Sequence, residues 1–202
     1  MPDNFPPVFV SATMEELVDH RAAVIKAIHE AQCHPVSMEY FSVKSSTPVE
    51  AGLAEVARCQ ALVVVSAHRF GWVPPGQDKS ITWLECLHAQ KLGIPVFAFV
   101  VDPDHPWPDS GREDYRILKA SRTGGDVVKV VSEVEQAQKG LRKFQAWLGE
   151  RTLAKFTDPR SLQIEVLKAV GNWRPQPAVP VRKATPKPPR STSTTSARSR
   201  PG

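Results

Sequence analysis

Glu85 stands inside the stretch DKSITWLECLHAQKLGIPVFAFV, residues 78–100, close to two hydroxyl residues, Ser80 and Thr82. A carboxylate at the start of a helix has two uses. Thr82 and Glu85 are spaced as a capping box, in which side chains satisfy the free amides of a helix start. A carboxylate aimed away from its own helix can instead do chemistry on a ribose. It stabilises the positive charge that builds as an N-glycosidic bond breaks, holds the sugar hydroxyls, or forms a covalent sugar intermediate. Each of those roles wants the ionised form, which the positive end of a helix favours. The expectation is therefore a carboxyl with a lowered pKa, suited to a nucleophile or electrostatic stabiliser and poorly suited to a proton donor. The same spacing recurs at Thr13 and Glu16, Thr47 and Glu50, and Ser132 and Glu135, so capping is an ordinary reading in this chain. Only Glu85 follows a 13-residue loop, HRFGWVPPGQDKS, long enough to form a lid.

The elements that must position these residues alternate. PVFVSA (7–12), HPVSME (34–39), ALVVVSA (61–67), IPVFAFVV (94–101) and DVVKVV (126–131) are apolar or β-branched runs that predict strands. Helical spacing follows each of them. Thr13 opens a helix with Leu17, Arg21, Val24, Ile25 and Ile28 on one face, and Thr47-Pro48-Glu50 opens another that runs to about Cys59. Gly93 is a helix stop for the segment bearing Glu85. A short helix is expected over 112–121, a long one from Ser132 to about Gly149, and a last one from Asp158-Pro159 to about Gly171. Alternating strands and helices, with strands apolar on both sides, predict an α/β sandwich of three layers around a parallel sheet.

Ligands bind such sheets outside the carboxyl ends of the strands, where strand order reverses. In a flavodoxin-like order the first and third strands flank that crevice. The residues on its rim are Ser11, Thr13, Glu39, Arg69, Trp72, Ser80 and Glu85. Ser11 and Ser80 offer hydroxyls for a sugar or phosphate, and Arg69 offers a guanidinium for a diphosphate. No Gly-rich phosphate loop is present. His68 has no nucleophile paired to it by sequence and is expected to be structural.

Bulk properties narrow the classes further. The chain has 202 residues, enough for one domain with a proper core, expected over 1–173. Its net charge of +5 comes from the tail: 7 basic residues and no acids follow from Arg174, leaving 19 basic against 21 acidic residues before it. The body therefore carries no nucleic-acid signature, and no specific nucleic-acid partner is expected. Residues 174–202 are rich in Pro, Ser, Thr and Arg and predict a disordered basic tail or a linker to a further domain. Cys33, Cys59 and Cys86 match neither a disulfide framework nor a metal site and are expected as small core residues. The opening MPDNFPPVFVSAT has no signal-peptide pattern and no run is long enough for a membrane span, so the cytoplasm is the default.

VFVSATMEELVDHRAAV, PVSMEYF, EVARCQALVVVSAHRFGWVPP, SITWLECLHAQKLGIPVFAFV and KFTDPRSL, in that order, resemble the domain-of-unknown-function family 4062 over about residues 6–171. That family is considered similar to TIR domains and to nucleoside deoxyribosyltransferases. The resemblance implies a flavodoxin-like, TIR-like fold with a five-stranded parallel sheet in the order 2-1-3-4-5 and a site at its carboxyl edge. It also implies a carboxylate in the helix after the third strand, and by position that is Glu85. The pattern departs at Ala12, Met14, His20 and Phe70, where the family usually has a hydroxyl, an aromatic residue, an acid and a tyrosine. Trp83 and Glu85 also lack the spacing of the TIR tryptophan–glutamate signature. Three readings follow from the resemblance. One is a signalling or defence-associated module that binds a nucleotide and hydrolyses NAD, with NAD as substrate and no cofactor required. A second is a non-catalytic interaction or scaffold domain. A third is a deoxyribosyltransferase-like enzyme. Self-association or a fused signalling domain is expected in the first two.

Overall fold

The computed structural model describes residues 5–37, 47–151 and 153–174. Five strands, β1 (Pro7–Ala12), β2 (His34–Ser37), β3 (Ala61–Ser66), β4 (Val96–Val101) and β5 (Leu153–Phe156), form one parallel sheet in the order β2-β1-β3-β4-β5. The helices are α1 (Val18–Glu30), α2 (Pro48–Val56), α3 (Ile81–Lys91), α4 (Tyr115–Thr123), α5 (Val127–Gly149) and α6 (Pro159–Asn172). A 3-10 turn, Asp109–Gly111, lies between β4 and α4.

Strand alternation divides the interior into two cores. Val8, Val10, Ala61, Val63 and Val65 face α1 and α6, where Val24, Ile28, Leu162 and Val166 meet them. Phe9, Leu62, Val64 and Ala98 face the other way, onto α2, α3 and α5 through Val56, Cys86, Phe144 and Leu148. Phe9, Phe99 and Leu62 are fully buried, each worth about 1.5–3 kcal/mol of transfer free energy. All three cysteines are buried and free, as their apolar surroundings predict.

Several boundaries differ from the sequence expectations. Residues 126–131 do not form the fifth strand. They open α5, with Asp126 accepting from the Lys129 amide as N-cap, and Val128 is 83% exposed. Val127, Val130, Val131, Val134 and Leu141 continue one stripe at helical spacing, so helix periodicity overrides β-branched propensity here. The sheet edge beside β4 is filled instead by β5, the short run before Thr157. Ser132 and Glu135 consequently sit inside α5 and cap nothing.

Thr13 and Glu16 do bond to each other, but side chain to side chain, and α1 begins only at Val18. Arg21 holds the intervening turn open as a loop by donating to the carbonyls of Thr13 (3.0 Å) and Met14 (2.6 Å). The Thr47–Glu50 capping box forms as expected, though α2 ends at Val56 rather than near Cys59. Gly93 takes φ +72° just past α3, and the Ile94 amide returns to the Ala89 carbonyl, closing the helix as predicted. Among the described residues, no helix is long and apolar enough to cross a membrane. The expected tail beyond Arg174 lies outside the described residues.

Candidate functional site

The first and third strands are neighbours, with Ser11 opposite Val64, so the strand order reverses between their carboxyl ends, where the crevice is expected. Ser11 is the last inward-facing residue of β1 on the α3 side. It is 1% exposed, and its hydroxyl donates to Glu85 Oε2 at 2.5 Å. Glu85 itself is 3% exposed. The capping-box reading of Thr82 and Glu85 does not hold. Ser80 is the N-cap of α3, which places Thr82 inside the first turn and Glu85 in the second, too far along to reach the cap amide.

The electrostatic expectation for Glu85 is also reversed. Burial raises its pKa to about 7, and the Ser11 hydrogen bond opposes that shift only in part. Desolvation outweighs the helix end because the carboxyl sits among the apolar side chains beneath α3, where the charged form loses its water. Among the described residues no Lys, Arg or His pairs with it. At neutral pH this group is close to half ionised, so it can give or take a proton as well as stabilise charge.

Two more polar groups are shut in at the start of α3. Ser80 is 0% exposed, and among the described residues neither its hydroxyl nor the Trp83 indole N–H has a hydrogen-bond partner. Trp83 packs against Phe144 and Phe70 with ring centroids 5.4 and 6.2 Å away. Phe70 comes from the loop over the crevice and inserts where Gly140 leaves room; a Cβ at Gly140 would lie 2.5 Å from the Phe70 ring. Gly71 follows at φ +83°, a conformation that side chains resist, and a Cβ there would lie 2.9 Å from the Thr13 methyl.

The other rim residues scatter. Thr13 bonds Glu16 and leaves Glu85 alone. Arg69 is turned to the opposite side of the sheet edge, donating to Glu15 at 2.5 Å and to the Ser110 carbonyl at 2.8 Å. The expected diphosphate contact is therefore not formed by Arg69 in this arrangement. Trp72 is 51% exposed, and its carbonyl accepts from the Ile81 amide at the entry to α3. Glu39 lies outside the described residues. Of the seven rim candidates, Ser11 and Glu85 are joined by a hydrogen bond, Ser80 is buried at the start of α3, and Arg69 lines a different cleft.

That second cleft, about 550 Å³, opens on the α1 and α6 side of the same edge. Glu16, His20, Arg69, Trp107, Gly111 and Asp158 line it, and Glu85 and Ser11 do not. The loop leaving β4, DPDHPWPDSG, is polar in composition. Its one signal was a tryptophan between prolines after a strand end, and Trp107 turns out to be the centre of a ring cluster with His20, His68 and Phe156. His68 packs on Trp107, and burial lowers its pKa. Among the described residues no three His, Cys, Asp or Glu side chains converge as metal ligands.

Comparison of folds places this architecture among known ones. Seven solved chains match. One, from the structure of the activated Roq1 resistosome recognising the pathogen effector XopQ, is a TIR domain that covers 82% of this chain and 99% of its own at a TM-score of 0.50 and 13% identity. That likeness is one of fold: the five-stranded sheet and its flanking helices are TIR-like. No curated protein matches the chain in sequence. The family model described as Domain of unknown function (DUF4062) matches residues 7–171, nearly the whole folded body, and the chain belongs to that family.

Proposed function

We propose that the domain binds a nucleotide in the crevice between the β1 and β3 loops and hydrolyses the N-glycosidic bond of NAD, with Glu85 as the catalytic carboxylate. One observation carries this reading. Glu85 is a buried carboxyl at the sheet's reversal point, held by Ser11, not used as a cap, and tuned to about 7. Buried, unpaired acids cost stability and are retained where chemistry needs them. In the reaction the bond between nicotinamide nitrogen and ribose C1′ breaks, and its electron pair leaves with nicotinamide. The ionised Glu85 faces the positive charge that develops on the ribose. Water adds at C1′ and its proton passes to Glu85 or to solvent. Ser11 orients the carboxyl, and the unpartnered Ser80 hydroxyl and Trp83 N–H supply hydrogen bonds for the sugar. Substrate entry requires the 68–80 loop to lift, withdrawing Phe70 from its seat on Gly140.

A second reading has its own support. Glu85 lies under cover and does not line the open cleft, which fits a non-catalytic TIR-like module that acts by self-association. Nicotinamide release from NAD separates the two. The enzyme reading expects turnover by the wild-type chain, free or clustered on a scaffold, and at least a hundredfold loss in Glu85→Gln with the fold retained. An inert wild type under both conditions leaves the interaction module.

A further inference from the structure

We propose that the 550 Å³ cleft on the α1 and α6 side is a second site, separate from the Glu85 crevice, for an unphosphorylated nucleoside: a planar nitrogen heterocycle with its sugar. Its size falls in the range of small-molecule sites, about 300–1,000 Å³. Its aromatic wall is Trp107, half-buried and fixed between His20 and His68 with ring centroids 5.1 and 5.4 Å away. Phe156 backs the indole at 6.5 Å. A tryptophan held this rigidly is a ready surface for a flat ring. Gly111 makes the arrangement fit, because a Cβ there would lie 2.5 Å from Trp107 Nε1 and 3.5 Å from Glu16 Cβ.

The polar inventory gives the chemistry. Seven shielded side-chain nitrogen or oxygen atoms lack a hydrogen-bond partner among the described residues. Three of them, Glu16 Oε2, His20 Nε2 and Arg69 Nε, belong to residues lining this cleft, and a fourth, His68 Nε2, belongs to the ring packed on Trp107. Such groups are rare in folded proteins and costly when unmet, so their concentration around one cleft points to a partner. Together they offer a donor, an acceptor and imidazole nitrogens able to act as either. Mixed edges of this kind match a nucleobase. Ligand binding here requires side-chain rotations that bring these shielded atoms to the cleft surface.

The charge of the walls excludes a phosphate. Glu15, Glu16, Asp19 and Asp158 line the cleft, and the only lysine or arginine among the lining residues, Arg69, is already paired with Glu15. An added phosphate meets a net negative rim at short range. Burial also raises the Glu16 pKa and lowers that of His20, moving both toward their uncharged forms. An uncharged ligand suits that wall.

Titration calorimetry of the full chain with adenosine, guanosine, cytidine and uridine, each beside its 5′-monophosphate, tests the proposal. At least one nucleoside should bind, and its monophosphate should bind at least tenfold more weakly. Trp107→Leu and Glu16→Ala should each weaken that binding tenfold or more while the thermal transition stays cooperative. Gly111→Val, which fills the space beside the indole, should do the same. Glu85→Gln should leave nucleoside binding intact whatever it does to NAD cleavage, so the two sites fail separately. Absence of nucleoside binding at millimolar concentration overturns the proposal. So does a monophosphate that binds as tightly as its nucleoside, or binding that survives Trp107→Leu and Glu16→Ala and disappears with Glu85→Gln.

Discussion

The Ser11 hydroxyl and the Glu85 carboxylate, 74 positions apart in the chain, meet at 2.5 Å between the end of β1 and the second turn of α3. This bond joins β1 to the helix that follows its sheet neighbour β3, at the point where the strand order reverses. It also holds the carboxyl against β1 rather than against its own helix start. Its thermodynamic consequences are measurable without any knowledge of a substrate.

Glu85→Gln should stabilise the protein at alkaline pH. The folded pKa of about 7 lies above the ordinary value of 4.5. A raised carboxyl contributes stability that is fully present below about 4.5 and is lost as pH rises through about 7, an effect on the order of 3 kcal/mol. Glutamine is neutral throughout. Urea midpoints should show the variant more stable than wild type at pH 8 and nearly equal to it at pH 5. A difference between variant and wild type that does not change with pH contradicts a buried, raised carboxyl.

Ser11→Ala removes the one hydrogen bond that pulls the Glu85 pKa down. Carbon-detected NMR titration of the Glu85 carboxyl should show its midpoint moving further up in the variant. At pH 8, where the carboxyl is mostly ionised, the loss of a hydrogen bond to a charged group should cost about 1.5–3 kcal/mol. At pH 5 the cost should shrink toward that of a neutral hydrogen bond, about 1 kcal/mol. Equal costs at the two pH values would mean that Ser11 bonds both protonation states alike.

The proposed hydrolysis should carry the same titration. A carboxylate that faces a developing oxocarbenium acts in its ionised form, so kcat/KM for NAD should rise with pH and level off above about 7. In Ser11→Ala that rising limb should move to higher pH along with the NMR midpoint. A rate that falls through pH 7 assigns Glu85 the opposite role, that of a proton donor.

Val128→Ala should stabilise the protein slightly, and this bears on what the sequence made legible. The two-sided burial of β3, the caps at Thr47 and Asp158 and the stop at Gly93 were readable because each depends on neighbouring residues, whereas the strand order followed from the family resemblance. The 126–131 run misled because VVKVV fits a strand by composition, and only the continuation through Val134 and Leu141 shows that it is helical. In an exposed helical position alanine is favoured over valine by about 0.5 kcal/mol, whereas in a strand the exchange would cost stability. Chemical denaturation of Val128→Ala should give the gain. Glu85 was legible as a position but not as an environment. Its Ser11 partner, and the packing of Phe70, Trp83 and α5 near the start of α3, come from segments far apart in sequence. Arg69 turned away for a similar reason: Glu15 and the Ser110 carbonyl, from two other loops, capture it.

Gly140→Ala sets helix propensity against packing in a way that tests how the 68–80 loop is held. Alanine in the middle of α5 should gain up to about 1 kcal/mol over glycine. The new methyl, however, falls 2.5 and 2.6 Å from two atoms of the Phe70 ring, which is 3% exposed and packed against Trp83. Displacing a core ring costs about 1–3 kcal/mol, so packing should win and the single variant should be destabilised by roughly 1 kcal/mol. In a Phe70→Ala background the obstacle is gone, and the same change should stabilise by up to about 1 kcal/mol. A full double-mutant cycle by urea denaturation reads this reversal of sign directly. If Gly140→Ala has the same effect in both backgrounds, Phe70 is not seated on α5, and the loop over Glu85 is anchored some other way.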